Sequence, residues 1–294
     1  MNSEFKIPGQ SGERLAAHPL SLTHCGTEPR EKRCRWVIGS DDSKPHFTLS
    51  NGLRPVRNFM LLEVCIDCVE SALAAQNGGA QRIEICGALA SGGTTPSLGL
   101  IRQCVQRCQI PAVVMIRPHD GGFVYSEDDL LTMLDDIAAM KDLGIQGIVF
   151  GALTAEGDVD VPAMKRLVEA AGDLEMTFHR AFDLVSNPLK SLDQIMDLGM
   201  GRLLTSGQAT TAEKGMALIG QLVDSAAGRI AVMAGAGINS SNVKAIITAT
   251  GVTEVHASAS RPRTPEFMAG EVRFGDASRV TCVDEVRELA DAIA

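Results

Sequence analysis

From residue 61 onward the chain repeats one unit eight times: a short β-rich run, a turn and an amphipathic helical stretch. The β-rich runs fall at 61–66, 82–86, 112–117, 147–151, 176–179, 202–205, 229–233 and 254–257. Helical patterns follow at 68–77, 97–108, 126–143, 161–171, 188–198, 211–226 and 241–250, with a last helix from Val283 onward. Three of the returns to a strand, "NGGAQR", "DLGIQG" and "DLGMGR", carry a glycine where the helix should stop. Strict alternation of strand and helix predicts a parallel sheet with right-handed crossovers. Eight is also the number that closes a (β/α)8 barrel, and the repeats span roughly 235 residues, near the usual ~250. The rival is an open doubly wound sheet, whose strands should be apolar on both faces.

Strand parity decides between the two. In the first run Leu62, Val64 and Ile66 alternate with Glu63, Cys65 and Asp67; in the second, Ile83 and Ile85 alternate with Arg82, Glu84 and Cys86. In the third, Val114 and Ile116 alternate with Met115 and Arg117. Alternate residues point to opposite faces, so one face is apolar and packs on helices. The other collects Glu63, Glu84, Arg117, Thr177, His179, Glu254 and His256. Charges on a buried face must pair, and acids, Arg and His are all available inside a closed barrel. The expected fold is a single TIM barrel over residues 59–294, preceded by an extension.

That extension, residues 1–58, has no sustained periodicity and is rich in Ser, Gly, Pro and charge, which predicts disorder. It holds nine Lys/Arg against six Asp/Glu, a net +3, so the rest of the −9 chain carries −12. An acidic body argues against nucleic-acid binding. No apolar run reaches the ~18 residues of a membrane span, and "MNSEFKIPGQSGERL" lacks the apolar core of a secretory signal. The cytosol is the default compartment, with the nucleus as the alternative. Eight cysteines in such a chain read as reduced thiols rather than a disulfide framework.

In barrels of this kind functional side chains gather where the strands end. Cys65 and Cys86 end neighbouring strands about 4.8 Å apart, so their thiols could share one ion. Two thiols are few for zinc but suit Cu(I), and Met115 could add a thioether; small residues filling a tapering barrel end are the alternative. Cys65 and Cys68 have the Cys-x-x-Cys spacing of a redox or zinc half-site, but no second copy exists. Asp67 is the expected N-cap of the helix that follows, with Cys68 packed in its first turn. In "MTFHRAFD", His179 with Asp183 nearby is the usual kit for acid–base work. With Arg117, Glu63 and Glu84 it makes either a candidate catalytic group or an ion-pair layer. Gly235, Gly237 and Ser258, in "MAGAGINSSNV" and "HASAS", form a candidate anion site, with Asn239 or Ser240 capping the next helix.

The segments "LLEVCIDCVESALAAQNGGAQRIEIC", "SGGTTPSLGLI", "VMIRP", "VFGALTAEGDVD", "TFHRAFD", "LLTSGQ" and "TEVHASA" resemble the CutC copper homeostasis family. The likeness runs from about Met60 to Ser260, in register with the repeats. It implies a TIM barrel, a cytoplasmic homo-oligomer (dimer or tetramer) and a Cu(I) site whose two cysteines fall on Cys65 and Cys86. The chain departs from the family pattern at "HDGGF" after the third strand and at "MAGAG" after the seventh. The resemblance names no reaction, which leans away from an enzyme. The polar interior keeps a second reading open: an enzyme acting on a small anionic metabolite, with His179 as acid–base and Arg117 orienting the substrate.

Overall fold

A computed structural model describes residues 60–263 and 279–294. The extension 1–58 lies outside the described residues. Eight parallel strands close a barrel in sequence order: β1 (Leu61–Ile66), β2 (Arg82–Ile85), β3 (Ala112–Met115), β4 (Gly147–Phe150), β5 (Glu175–Phe178), β6 (Arg202–Thr205), β7 (Ala231–Gly235) and β8 (Glu254–Ala257). β8 returns to β1 with Glu63 opposite His256, which removes both edges an open sheet would leave. Among the described residues eight α-helices surround the barrel: α1 (Val69–Gly78), α2 (Leu98–Arg107), α3 (Glu127–Met140), α4 (Val161–Ala171), α5 (Pro188–Asp197), α6 (Met216–Ala226), α7 (Val243–Thr250) and α8 (Val283–Ile293).

The main core lies between strands and helices. Leu62, Val64, Ile66, Ile83, Ile85, Val114, Phe150 and Phe178 point outward into it and are fully buried. At about 1.5–3 kcal/mol per buried side chain of this size, this layer is the main stabilising term. The inner face is different. One side carries Glu63, Arg82, Glu84 and His256, all buried, and a small apolar cluster of Cys86, Val113, Met115 and Val149 fills another part.

Several local expectations needed correction. Cys68, not Asp67, is the N-cap of α1; its backbone is extended and its Sγ donates to Ser71 Oγ at 3.2 Å, while the Asp67 side chain stays exposed. α6 starts at Met216 rather than Thr211, because residues 211–215 turn tightly so that Gly215 can lie against Ser206 and Gly207 just after β6. A Cβ on Gly215 would sit 1.9 Å from the Ser206 carbonyl oxygen, so only glycine fits there. α7 starts at Val243 with Asn242 at the cap position, because Asn242 Oδ1 accepts from Asn239 N–H and Asn242 Nδ2 donates to the Gly237 carbonyl, both at 2.9 Å. Neither Asn239 nor Ser240 caps that helix. β7 lies two residues later than expected. A short antiparallel pair, β9 (Ser260–Pro262) with β10 (Arg279–Thr281), lies outside the strand–helix repeat.

Candidate metal centre at the barrel mouth

The inner face is built as a ladder of alternating charge. At its base Arg202 grips Glu254 with two bonds, Nε to Oε2 at 2.5 Å and Nη2 to Oε1 at 3.2 Å. Arg82 joins Glu254 (2.9 Å) to Glu63, to which its Nε also donates. Glu63 Oε1 then meets His256 Nδ1 at 2.8 Å, and His256 Nε2 lies 3.8 Å from Glu84 Oε2. Glu84 Oε2 in turn accepts from the Cys86 thiol at 3.3 Å.

These contacts set the ionisation of the site. Burial opposes charge on Glu63, but His256 and Arg82 outweigh it and hold the carboxyl at about 2. Burial also opposes the His256 imidazolium, yet Cys65, Glu63 and Glu84 around it raise its pKa well above the usual histidine range. Glu84 is raised, by burial and by the nearby Glu63 charge. Burial and the Glu84 carboxylate push the Cys86 thiol well above the ordinary range, so it stays protonated without a metal.

Above the ladder opens a cavity of about 440 Å³, with Cys65, Glu84, Met115, Arg117, His179 and His256 in its wall. Cys65 is half-buried there, whereas Cys86 is fully buried and sits among Val113, Met115 and Val149. The register pairs Cys65 with Glu84, so the stagger between β1 and β2 carries Cys86 two residues farther along. One ligand atom each from Cys65, Glu84 and His256 lies within 4.8 Å of the others, a group that could hold a metal. His256 was legible as a mouth residue, but its place beside the thiol comes only from the closure of β8 onto β1.

Arg117 and His179 both reach this cavity. Arg117 spends most of its guanidinium on the rim: Nη1 donates to the Ser91 (3.1 Å) and Gly93 (2.9 Å) carbonyls and Nη2 to Gly121 (2.6 Å). Phe123 packs between it and His179, 4.9 Å below the guanidinium carbon and 4.8 Å from the imidazole. Burial and the Arg117 charge lower His179 to about 3, so its ring is neutral near pH 7. Its Nδ1 accepts from Ala181 N–H at 3.3 Å, which leaves the proton on Nε2.

Asp183 also lines this cavity, but its carboxylate is fully engaged. It accepts from Thr205 Oγ1 (2.6 Å), Ser206 N–H and Oγ–H, Gln208 N–H and Arg180 Nε, and so ties the turn after β5 to the loop after β6. Gly237 and Ser258 line the cavity, but Gly235 belongs to β7 and packs on Leu204 and His256. The inner polar face also includes the bases Arg82 and Arg202. Arg82 has the inward parity of β2, and Arg202 shares the parity of Leu204, a cavity residue, so strand parity is the signal for both.

The CutC family model matches residues 60–261. The chain belongs to the CutC family. It is 43% identical over 265 residues to the mouse "Copper homeostasis protein cutC homolog", covering 87% of this chain and 97% of the mouse protein. A "family protein CutC" of Glaesserella parasuis is 49% identical over 234 residues, covering 79% of this chain and 95% of that one. The solved CutC structure from Streptococcus agalactiae superposes with a TM-score of 0.65 at 34% identity, covering 68% of this chain and 98% of that one. A thiamine phosphate pyrophosphorylase from Pyrococcus furiosus shares only the barrel, at TM-score 0.51 and 17% identity over 80% of this chain and 96% of that one. Among the described residues no helix is long and apolar enough to cross a membrane.

Proposed function

We propose that this CutC-family protein binds Cu(I) at the barrel mouth, with Cys65 as the thiolate that meets the ion and Cys86 as the second sulfur. The observation that carries this reading is Cys65 itself, a free thiol in the wall of an open cavity with His256 beside it. Soft thiolate and thioether donors favour Cu(I), and Met115 adds a thioether in the same wall. Cys86 gives up a proton on binding, so occupancy by this pair rises with pH. A reducing compartment such as the cytosol keeps both thiols available. Anaerobic Cu(I) titration tests the reading: the ion bound by the intact protein is lost in Cys65→Ser and in Cys86→Ser. Unchanged binding in both variants rejects it.

A second reading is an enzyme acting on a small anionic metabolite. It is favoured by three buried polar atoms that have no partner among the described residues, Glu84 Oε1, Arg117 Nε and His179 Nε2, all on side chains of the same cavity. The neutral His179 would donate from Nε2 to a substrate oxygen, and Arg117 would add positive charge from the rim. A metabolite screen by melting shift tests it, with Arg117→Ala and His179→Ala expected to abolish any stabilisation. For either reading we also propose a homo-oligomer, a dimer or tetramer, since Val124 and Leu184 near the mouth are 55% and 64% exposed; light scattering on the full chain decides.

A further inference from the structure

We infer that the mouth holds a divalent metal ion of the zinc type on Cys65 Sγ, His256 Nε2 and a Glu84 carboxylate oxygen, with a fourth position open to the cavity. This goes beyond the Cu(I) reading and does not rest on it, because Cys86 is not a ligand.

The donor set supports this on three counts. The first is convergence. One atom from each of the three side chains lies within 4.8 Å of the others, and His256 Nε2 stands 3.8 Å from Glu84 Oε2. Ligand atoms each ~2.0–2.3 Å from a tetrahedral zinc are separated by roughly 3.3–3.7 Å, so only a small contraction is needed. The second is charge. A thiolate and a carboxylate bring two negative charges into a buried wall, and a divalent ion neutralises both where Cu(I) leaves one uncompensated. The third is donor type. Sulfur, imidazole nitrogen and carboxylate oxygen together suit zinc, while Cu(I) selects sulfur over a carboxylate.

The surroundings of the three ligands support the same assignment. Histidines that bind metals usually donate their other ring N–H to a carboxylate. Glu63 takes that part at 2.8 Å from His256 Nδ1 and is itself held by Arg82, so Nε2 is the ring nitrogen that gives up its proton to the ion. Cys86 donates to Glu84 Oε2, which orients that carboxylate as Glu63 orients the imidazole. Glu84 Oε1 is buried with no partner among the described residues, an acceptor that is costly to leave unsatisfied. A bound cation meets that cost. Three protein ligands with an open side is the arrangement of catalytic rather than structural zinc sites, and the open side here faces the cavity that His179 and Arg117 share.

Co(II) is the probe, titrated into the reduced, metal-stripped full chain and followed by absorption. We expect one equivalent with a thiolate-to-cobalt charge-transfer band, and displacement of that band by Zn(II). Cys65→Ser should abolish the band, His256→Gln and Glu84→Gln should weaken Co(II) binding about 100-fold, and Glu63→Gln roughly 10- to 100-fold. Cys86→Ser should keep the band. Persistence of the band in Cys65→Ser, or its loss in a folded Cys86→Ser, overturns the inference. Should His256→Gln fail to fold by circular dichroism, Glu84→Gln and Cys65→Ser carry the same decision. Cu(I) titration of the same variants keeps the two readings apart. Cu(I) binding lost in Cys86→Ser supports the copper pair whatever cobalt does, and cobalt binding without any Cu(I) binding removes the copper pair alone.

Discussion

Replacing Arg82 by Met removes the cation at the centre of the interior ladder while keeping most of the side-chain volume. Arg82 is 3% exposed and donates to both Glu63 and Glu254. Among the described residues Glu254 keeps Arg202 as a partner, and Glu63 keeps only His256. The Glu63 carboxyl is held at about 2 rather than 4.5, a difference of roughly 3 kcal/mol at about 1.4 kcal/mol per pH unit. Arg82 supplies part of that, and removing one partner of a buried pair costs about 3–5 kcal/mol in general. We therefore expect Arg82→Met to lower stability by about 3 kcal/mol at neutral pH, or roughly 6–12 °C in melting temperature for a domain of this size. The pH dependence separates charge from packing. Glu63 has a depressed folded pKa, so its contribution is present above about 4.5 and is lost as pH falls through about 2. The gap between wild type and Arg82→Met in urea unfolding should thus narrow as the pH drops below 4.5. Adding Glu63→Gln to Arg82→Met should recover about 1–2 kcal/mol relative to the sum of the single changes. A gap that is constant with pH, together with additive single changes, would refute the charge argument and leave only lost packing.

Three further outcomes follow from the same structure. His179, held at about 3 against an ordinary 6.5, favours folding fully above 6.5 and loses that contribution as pH falls through 3; a His179→Gln variant should show a flatter acid side of the stability profile, by up to about 5 kcal/mol. The His179 ring should give no imidazolium signal by NMR near pH 5, about two units above its folded value. Gly215→Ala places a Cβ 1.9 Å from the Ser206 carbonyl oxygen, and should cost about 3 kcal/mol or more by urea unfolding, or leave no soluble protein.

The barrel was legible because it depends on period. Eight strand–helix repeats and the inward parity of Glu63, Glu84 and His256 are properties of single strands, and each could be read alone. The site depended on something that single strands do not carry. Cys65 and Cys86 occupy matching positions in sequence, but register decides which residues face each other across a sheet, and β1 pairs Cys65 with Glu84. His256 stands 191 residues from Cys65 along the chain and reaches it only through closure. Arg117 and Asp183 are readable as residues, but their hydrogen-bond partners are not, because Arg117 bonds loop carbonyls and Asp183 bonds both backbone and side-chain groups of the loop after β6, whose paths no pattern predicts. The start of α6 escapes the pattern for the same reason: a close approach between Gly215 and the loop after β6 overrides local helix preference.

Arg117 has a mechanical consequence. Its guanidinium fastens the rim segment at Ser91 and Gly93 to the one at Gly121, both anchored to the end of β3. Two loops that would otherwise breathe independently are thereby joined into one collar. Widening the entrance on that side means breaking three charge-assisted hydrogen bonds together or moving the collar as a rigid piece. A lysine in place of this arginine, lacking the planar fork, would uncouple the two segments without changing the charge of the mouth.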